Sequence, residues 1–418
     1  MTMRKWLLRG APVVALLAAL SACSSNGGGS HAGSDSSALD GGVSGTVNAP
    51  GTPIKVGVIC MCSGVFGASV VGASEVAQAW AKNVNATGGI DGHPVDLDLQ
   101  DDQGNPGTST TIAQKMISEG VAVILNLTGF DAAWATNVAA AKIPVVGGIY
   151  QDSIFGTNPY FYPTGQSQAS AIASVASVAK QAGARNLGVL YCAESTDCQQ
   201  IVGHLKTAGQ RVGVPEVYSA AVAATAPNYT AQCLAAQQAK VEAIVFAGDA
   251  KTAARIGSDC DRQGYAPTFL MQGLGYSKEF REATGFGKSL WMPFPMLPYF
   301  ADVPAMQKMN AAVDKYYPDL RAGDDVIWAQ LGAQTWAAGI LIEHAVKASG
   351  ADTSATVDAA TMLKGLNSIK GDDLDGLTSP LTFTAGQPHT VNCWFTANVR
   401  NGKESLLNNG KSTCSSAS

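Results

Sequence analysis

From Ile54 onward, short runs rich in Val, Ile and Leu alternate with longer stretches whose apolar residues recur at i, i+3 and i+4. The short runs are Ile54 to Ile59, Val95 to Gln100, Val121 to Leu127, Pro144 to Gly147, Leu187 to Tyr191, Glu216 to Ser219, Ala243 to Ala247 and Thr268 to Met271. Most are apolar without alternation, as strands covered on both faces are. Strands interleaved with helical periods specify βαβ units and a parallel sheet. Ala73, Val76, Ala77, Trp80, Ala81 and Val84 mark one helical face, and Ile112, Ala113, Met116 and Ile117 a second, for which Thr108 and Ser109 offer an N-cap. Two later helices are predicted, Pro304 to Tyr316, closed by Pro318, and Ile327 to Ala348. Trp328, Trp336, Leu341 and Ile342 read as core.

There are more βα units than one sheet holds comfortably. A Pro/Gly-marked segment, Pro159 to Gly165, precedes a long helix from Gln166 to Ala182, and a crossover between two lobes is placed there. The Pro-rich stretch from Met292 to Pro298 is a second, because proline fixes φ and blocks helix and ladder alike.

Ahead of this pattern stand Arg4, Lys5 and Arg9, an apolar run from Ala11 to Leu20, and small residues up to Cys23. This is the layout of a secretory signal peptide, its apolar run too short to span a bilayer. Leu20-Ser21-Ala22-Cys23 resembles a bacterial lipobox, which makes residues 1–22 the signal peptide, Cys23 the lipidated N-terminus and residues 23–53 a flexible Gly/Ser tether. A diacyl anchor, at about 0.8 kcal/mol per buried CH2, places the chain on the extracytoplasmic face of a bacterial membrane without crossing it.

About 360 residues beyond the tether suffice for two domains. Charged residues make up 14% of the 418, the net charge is −5, and no basic block occurs, which argues against nucleic acid as a partner. Of nine cysteines, eight remain after Cys23, an even number in an oxidising compartment. Proximity suggests Cys192 with Cys198, Cys233 with Cys260, and Cys393 with Cys414. Cys60 and Cys62 stand as a strained C-x-C disulfide, a thiol redox pair or, least favoured, a metal site, since no ligand follows at metal spacing.

In open α/β sheets, ligands bind beyond the carboxyl ends of the strands near the switch point. That rule selects Cys62, Ser63, Gly64 and Phe66, then Thr128, Gly129 and Phe130, then Ile149, Tyr150 and Gln151. From the second half of the chain it selects Glu194 and Ser195, Gly248 and Asp249, and Gln272 and Gly273. Small, hydroxyl, amide and aromatic residues leading into helix N-termini suit a neutral or zwitterionic solute. Singly, Ser63, Thr128 or Asp249 could equally be an N-cap.

The opening IKVGVICMCSG and NATGGIDGHPVDLDLQDDQGNP resembles that of the leucine/isoleucine/valine-binding proteins, type I solute-binding subunits of ABC importers. The likeness continues more weakly through NLTGFDAAWA, IPVVGG, LGVLY and AIVFAGDA. It implies an α/β fold of two Rossmann-like lobes joined by a three-stranded hinge, with the ligand cleft between them. The lobes are then residues 54–163 with 293–378, and 164–292 with 379–414. It implies a monomer without cofactor or catalysis, partnered by a permease and its ATPase. The family's carboxylate-binding hydroxyl falls on Thr128, and Gln151 replaces its Thr.

The acid that pairs the ligand ammonium should lie near Gln272 or Gly273, and neither is charged. The aromatic expected after Tyr191 is also missing. Asp249 or Glu194 could supply the charge. Otherwise the solute is uncharged or aromatic, stacked on Phe66, Phe130, Tyr150 or Tyr276. The sequence does not separate transport from sensing. Enzymatic use lacks a G-x-S-x-G, an H-E-x-x-H or a P-loop, and the five His residues are scattered.

Overall fold

The computed structural model describes residues 49–418 except 65–66, 195, 323–327 and 416–418. The segment read as a signal peptide, Cys23, most of the segment read as a tether, Phe66 and Ser195 therefore lie outside the described residues. Among the described residues no helix is long and apolar enough to cross a membrane.

The first lobe comprises β1 (Ile54–Cys60), α1 (Gly67–Ala86), β2 (Val95–Asp101), α2 (Pro106–Ser118), β3 (Val123–Leu127), α3 (Ala135–Ala141), β4 (Val145–Gly147) and β5 (Phe161–Tyr162), of which β1 to β4 follow the apolar runs while β5 lies inside the segment expected as a crossover. Its five strands are parallel in the order β2-β1-β3-β4-β5. The α2 cap differs from expectation. Asn105 accepts from the backbone N–H of Gly107 and Thr108, and Pro106 supplies the preset φ of the first turn, so the helix starts ahead of Thr108.

The chain then builds α4 (Gln168–Gln181), β6 (Leu187–Cys192), α5 (Thr196–Val212), β7 (Glu216–Val222), α6 (Thr230–Gln238), β8 (Ala243–Ala247), α7 (Ala250–Arg262), β9 (Thr268–Leu270), α8 (Lys278–Glu282) and β10 (Leu290–Phe294). After α9 (Pro304–Tyr316), α10 (Pro318–Ala322), α11 (Ala329–Ser349), α12 (Ala359–Ser368) and the small pair β11 (Lys370–Asp372) and β12 (Leu381–Thr382) come β13 (Cys393–Arg400), β14 (Lys403–Leu406) and β15 (Thr413–Cys414). The second sheet runs β14-β13-β10-β9-β8-β6-β7, with β15 on β13. Strands β6 to β10 are parallel, and β13 returns antiparallel to β10.

The Pro-rich stretch is not only a connection, because its first half is β10. The Trp291 carbonyl accepts from Met271 N–H on the β9 side. Pro293, two residues on, turns its nitrogen the same way, beyond the end of β9, and opposite Thr396 it forfeits no ladder bond.

Three segments pass between the sheets and lie side by side. Gln166 N–H donates to the Pro295 carbonyl at 2.8 Å, and Ser167 N–H to that of Val391 at 2.8 Å. After the second passage α9, α11 and α12 return to the first lobe, where α11 packs along α1 and α12 along α11. Gly339 lets the indole of Trp80 lie on α11, since a Cβ there would stand 2.6 Å from the ring. Trp80 Nε1 in turn donates to Glu343 Oε1 at 2.9 Å. Trp336, Leu341 and Ile342 are fully buried in this interface.

The cysteines pair as Cys60–Cys62, Cys192–Cys198, Cys233–Cys260 and Cys393–Cys414. The last fixes β15 to β13, where the two residues are direct partners.

Candidate ligand-binding cleft

Strand order reverses beside the first strand of each sheet, at β1 between β2 and β3 and at β6 between β7 and β8. The carboxyl ends at these points face one another across a cleft of about 650 Å³. From the first lobe Met61, Gly129, Ile149, Gln151 and Asp152 line it, with Val70 of α1 and Leu331 of α11. From the second come Asp249, Ala250 and Lys251 at the start of α7, and Leu274, Gly275 and Ser277 after β9. The wall is mainly apolar, with a carboxylate on each lobe and an ammonium on the second, as expected of a small-molecule site.

Each lining loop is held from behind. Asp101 Oδ1 accepts from the backbone N–H of Cys62, Ser63 and Gln103 at 3.0, 3.2 and 2.9 Å. With the Cys60–Cys62 bond and Met61 N–H on the Leu127 carbonyl, this fixes the backbone of Met61 at the cleft. Gln151 Nε2 donates to Gln334 Oε1 on α11 at 2.9 Å, tying the loop after β4 to the returning helix. Asp249 Oδ1 caps α7 by accepting from Thr252 N–H at 2.9 Å. Burial alone would raise its pKa, but the hydrogen bonds from Thr252 and neighbouring backbone outweigh it and hold the carboxyl below its ordinary value.

Behind Asp152 lies a second carboxyl. Asp131 is 1% exposed, and its Oδ2 accepts from Asn126 Nδ2 at 3.2 Å. Asp152 Oδ1 accepts from the N–H of Ile154 at 2.9 Å. The remaining oxygens, Asp131 Oδ1 and Asp152 Oδ2, are buried with no donor side chain or N–H to meet. Burial first, then the hydrogen bond and charge of Asp152, raise the Asp131 pKa far above the carboxylate range, so Asp131 carries a proton at neutral pH and donates it to Asp152. Two adjacent cleft loops are joined by that one proton.

Of the residues selected from the sequence, Gly129, Gln151 and Asp249 line the cleft, as does Ile149. Others turn elsewhere. Thr128 is buried and its Oγ1 accepts from Phe130 N–H at 3.2 Å, a local turn. Phe130 is half-buried and off the cleft wall, and Ser63 is exposed. Glu194 accepts from Ala224 N–H at 2.7 Å within the second lobe. Gln272 lines a neighbouring cavity.

Two stacking candidates need correction. Tyr150 is fully buried in the first lobe against Phe155, and Tyr276 is buried with its hydroxyl on Glu404 Oε1 at 2.9 Å, so neither ring reaches the cleft. Their rings enter the core because burying an aromatic ring returns more than leaving it on a wet loop. The charged residues missed were Asp152 and Lys251. Both stand one or two residues beyond selected positions, and Lys251 falls in the first turn of a helix that the strand-end rule passes over.

The molecule is thus a two-lobed α/β protein with a cleft between the lobes. Residues 53–404 match the periplasmic binding protein family, and the chain belongs to that family of solute-binding proteins. No curated protein matches the sequence. Among solved structures, a branched-chain amino acid ABC transporter protein from Thermus thermophilus with bound valine superposes with TM-score 0.70 at 14% identity, over 87% of this chain and 97% of that one. A fatty acid ABC transporter substrate-binding protein from Thermomonospora curvata gives 0.65 at 18% identity over 85% and 91%. A solute-binding protein from R. palustris in complex with benzoate gives 0.61 at 15% over 85% and 95%.

Proposed function

We propose that this protein captures a small organic solute, an amino acid or a related amide or organic acid, outside the cytoplasmic membrane and delivers it to an ABC importer. Cys23 carries the lipid that holds it to the membrane as a monomer, and it performs no chemistry on its cargo. The lobes meet the solute along residues 54–163 with 293–378 and 164–292 with 379–414, closing about the three side-by-side connections.

One observation carries this reading: a single cleft is walled by the strand ends of both lobes, with Asp152 on one side and Asp249 and Lys251 on the other. Lys251 suits a carboxylate, and the negative charge of Asp152 and Asp249 across the cleft an ammonium. Valine, a fatty acid and benzoate, named for the three structural relatives, each join a carboxylate to an apolar body. Met61, Val70, Ile149 and Leu331 offer a surface for such a body.

Thermal-shift screening of the purified protein against amino acids, amides, short-chain acids and aromatic acids tests the reading. A true ligand at 100 times its Kd adds about 2.7 kcal/mol and raises Tm by several degrees. A flat response across all classes would sink it.

A further inference from the structure

We propose that the second lobe holds a separate tail pocket, which takes the hydrocarbon chain of an amphipathic solute whose polar head lies in the cleft. The inference rests on the reading of the cleft as the solute site. It adds a chemical class to the cargo: organic acids with an extended apolar tail.

Beside the cleft, wholly within the second lobe, lies a further cavity of about 340 Å³. Its walls include Ile172 and Val175 of α4, Ile201 and Leu205 of α5, and Val245 in the middle of β8. Among the described residues no ionisable side chain borders it, and Gln272 offers the only polar side chain. The recess opens to solvent at Gly248, Gln272 and Gly275, and apolar walls left against water favour an apolar occupant.

The occupant's identity follows from where the cavity lies. Cavity and cleft share Leu274 and Gly275 as walls, and Gly248, which borders the cavity, is followed directly by Asp249, which borders the cleft. Gly275 keeps the junction low, because a Cβ there would touch only the Met271 methyl, at 3.3 Å. A molecule with its carboxylate near Lys251 and the start of α7 therefore has an apolar recess within reach of its other end. All the recess walls belong to one lobe, so the tail can seat before the lobes close.

Isothermal titration of the full chain with butanoate, hexanoate, octanoate and decanoate tests this. Affinity should rise about fourfold per added methylene and level off when the recess is full. Ile201→Trp and Ile172→Trp, on different helices and both facing the recess rather than the cleft, should each abolish the rise while butanoate binding stays within about twofold. Butanoate binding without any gain from longer chains would overturn the tail pocket and leave the cleft reading standing. So would a gain that survives both tryptophan variants, each shown folded by its thermal transition. If no acid of any length binds while an amino acid or amide does, the tail pocket fails alone. If nothing binds, both readings fall.

Discussion

Asp131 and Asp152 hold the loops after β3 and β4 together through a proton, which makes the stability of the first lobe depend on pH. In the unfolded chain an aspartate loses its proton near pH 3.9. In the folded protein Asp131 keeps it up to about 9. Between those values the native state binds more protons than the unfolded state, so stability falls as pH rises, the reverse of a salt-bridged aspartate. Thermal unfolding from pH 5 to 9 should therefore show a declining Tm. In Asp131→Asn the amide can donate to Asp152 Oδ2 while its oxygen still accepts from Asn126, so no proton is needed. The variant should lose most of the decline and match or exceed the wild type at pH 8. A Tm that falls equally in both proteins would dismiss the shared proton.

At the scale of elements, the covalent ties differ in what they contribute. Cys233–Cys260 links α6 to α7 across 27 residues, whereas Cys60–Cys62 spans two. Loop-closure entropy makes the first worth about 3.5 kcal/mol and the second about 1.5 kcal/mol. Urea unfolding of the paired Cys→Ser variants should show that ranking. The Cys60–Cys62 variant should lose ligand affinity out of proportion to its small stability loss, because that bond fixes the loop carrying Met61 into the cleft.

Most elements of this fold were legible from local pattern. The apolar runs mark β1 to β4, β6, β8 and β9 because strands covered on both faces admit few polar residues. Strand β10 hid behind its prolines, since only the end of β9 in three dimensions makes Pro293 harmless. The site was legible at the level of loops and not of side chains. The strand-end rule finds the loops holding Gly129, Gln151 and Asp249, but whether Tyr150 faces cleft or core depends on the space beside Gly147 and Gly165, where a Cβ on either would strike its ring. Leu331 comes from a helix some 180 residues further along the chain than Gln151, a juxtaposition created only by the return crossing.

For the whole molecule, function turns on how the lobes share a solute. The hinge is three narrow connections joined by backbone hydrogen bonds at Gln166, Ser167, Pro295 and Val391. The facing walls carry Asp152 on one lobe and Asp249 and Lys251 on the other. In the closure proposed above, Lys251 approaches the first lobe's carboxylate, and the attraction grows as water leaves the cleft. Lys251→Glu would set like charges against one another and shift the population toward open forms. Apparent affinity scales with the competent fraction. If Lys251 acts on closure, Lys251→Glu should weaken binding of neutral and acidic solutes alike, by about tenfold, and small-angle scattering should show the ligand-induced fall in radius of gyration shrinking at a fixed ligand concentration. If Lys251 instead grips the solute's carboxylate directly, the loss should be confined to acids, and the saturated variant should contract as far as the wild type. The two outcomes separate a lysine that moves the lobes from one that reads the cargo.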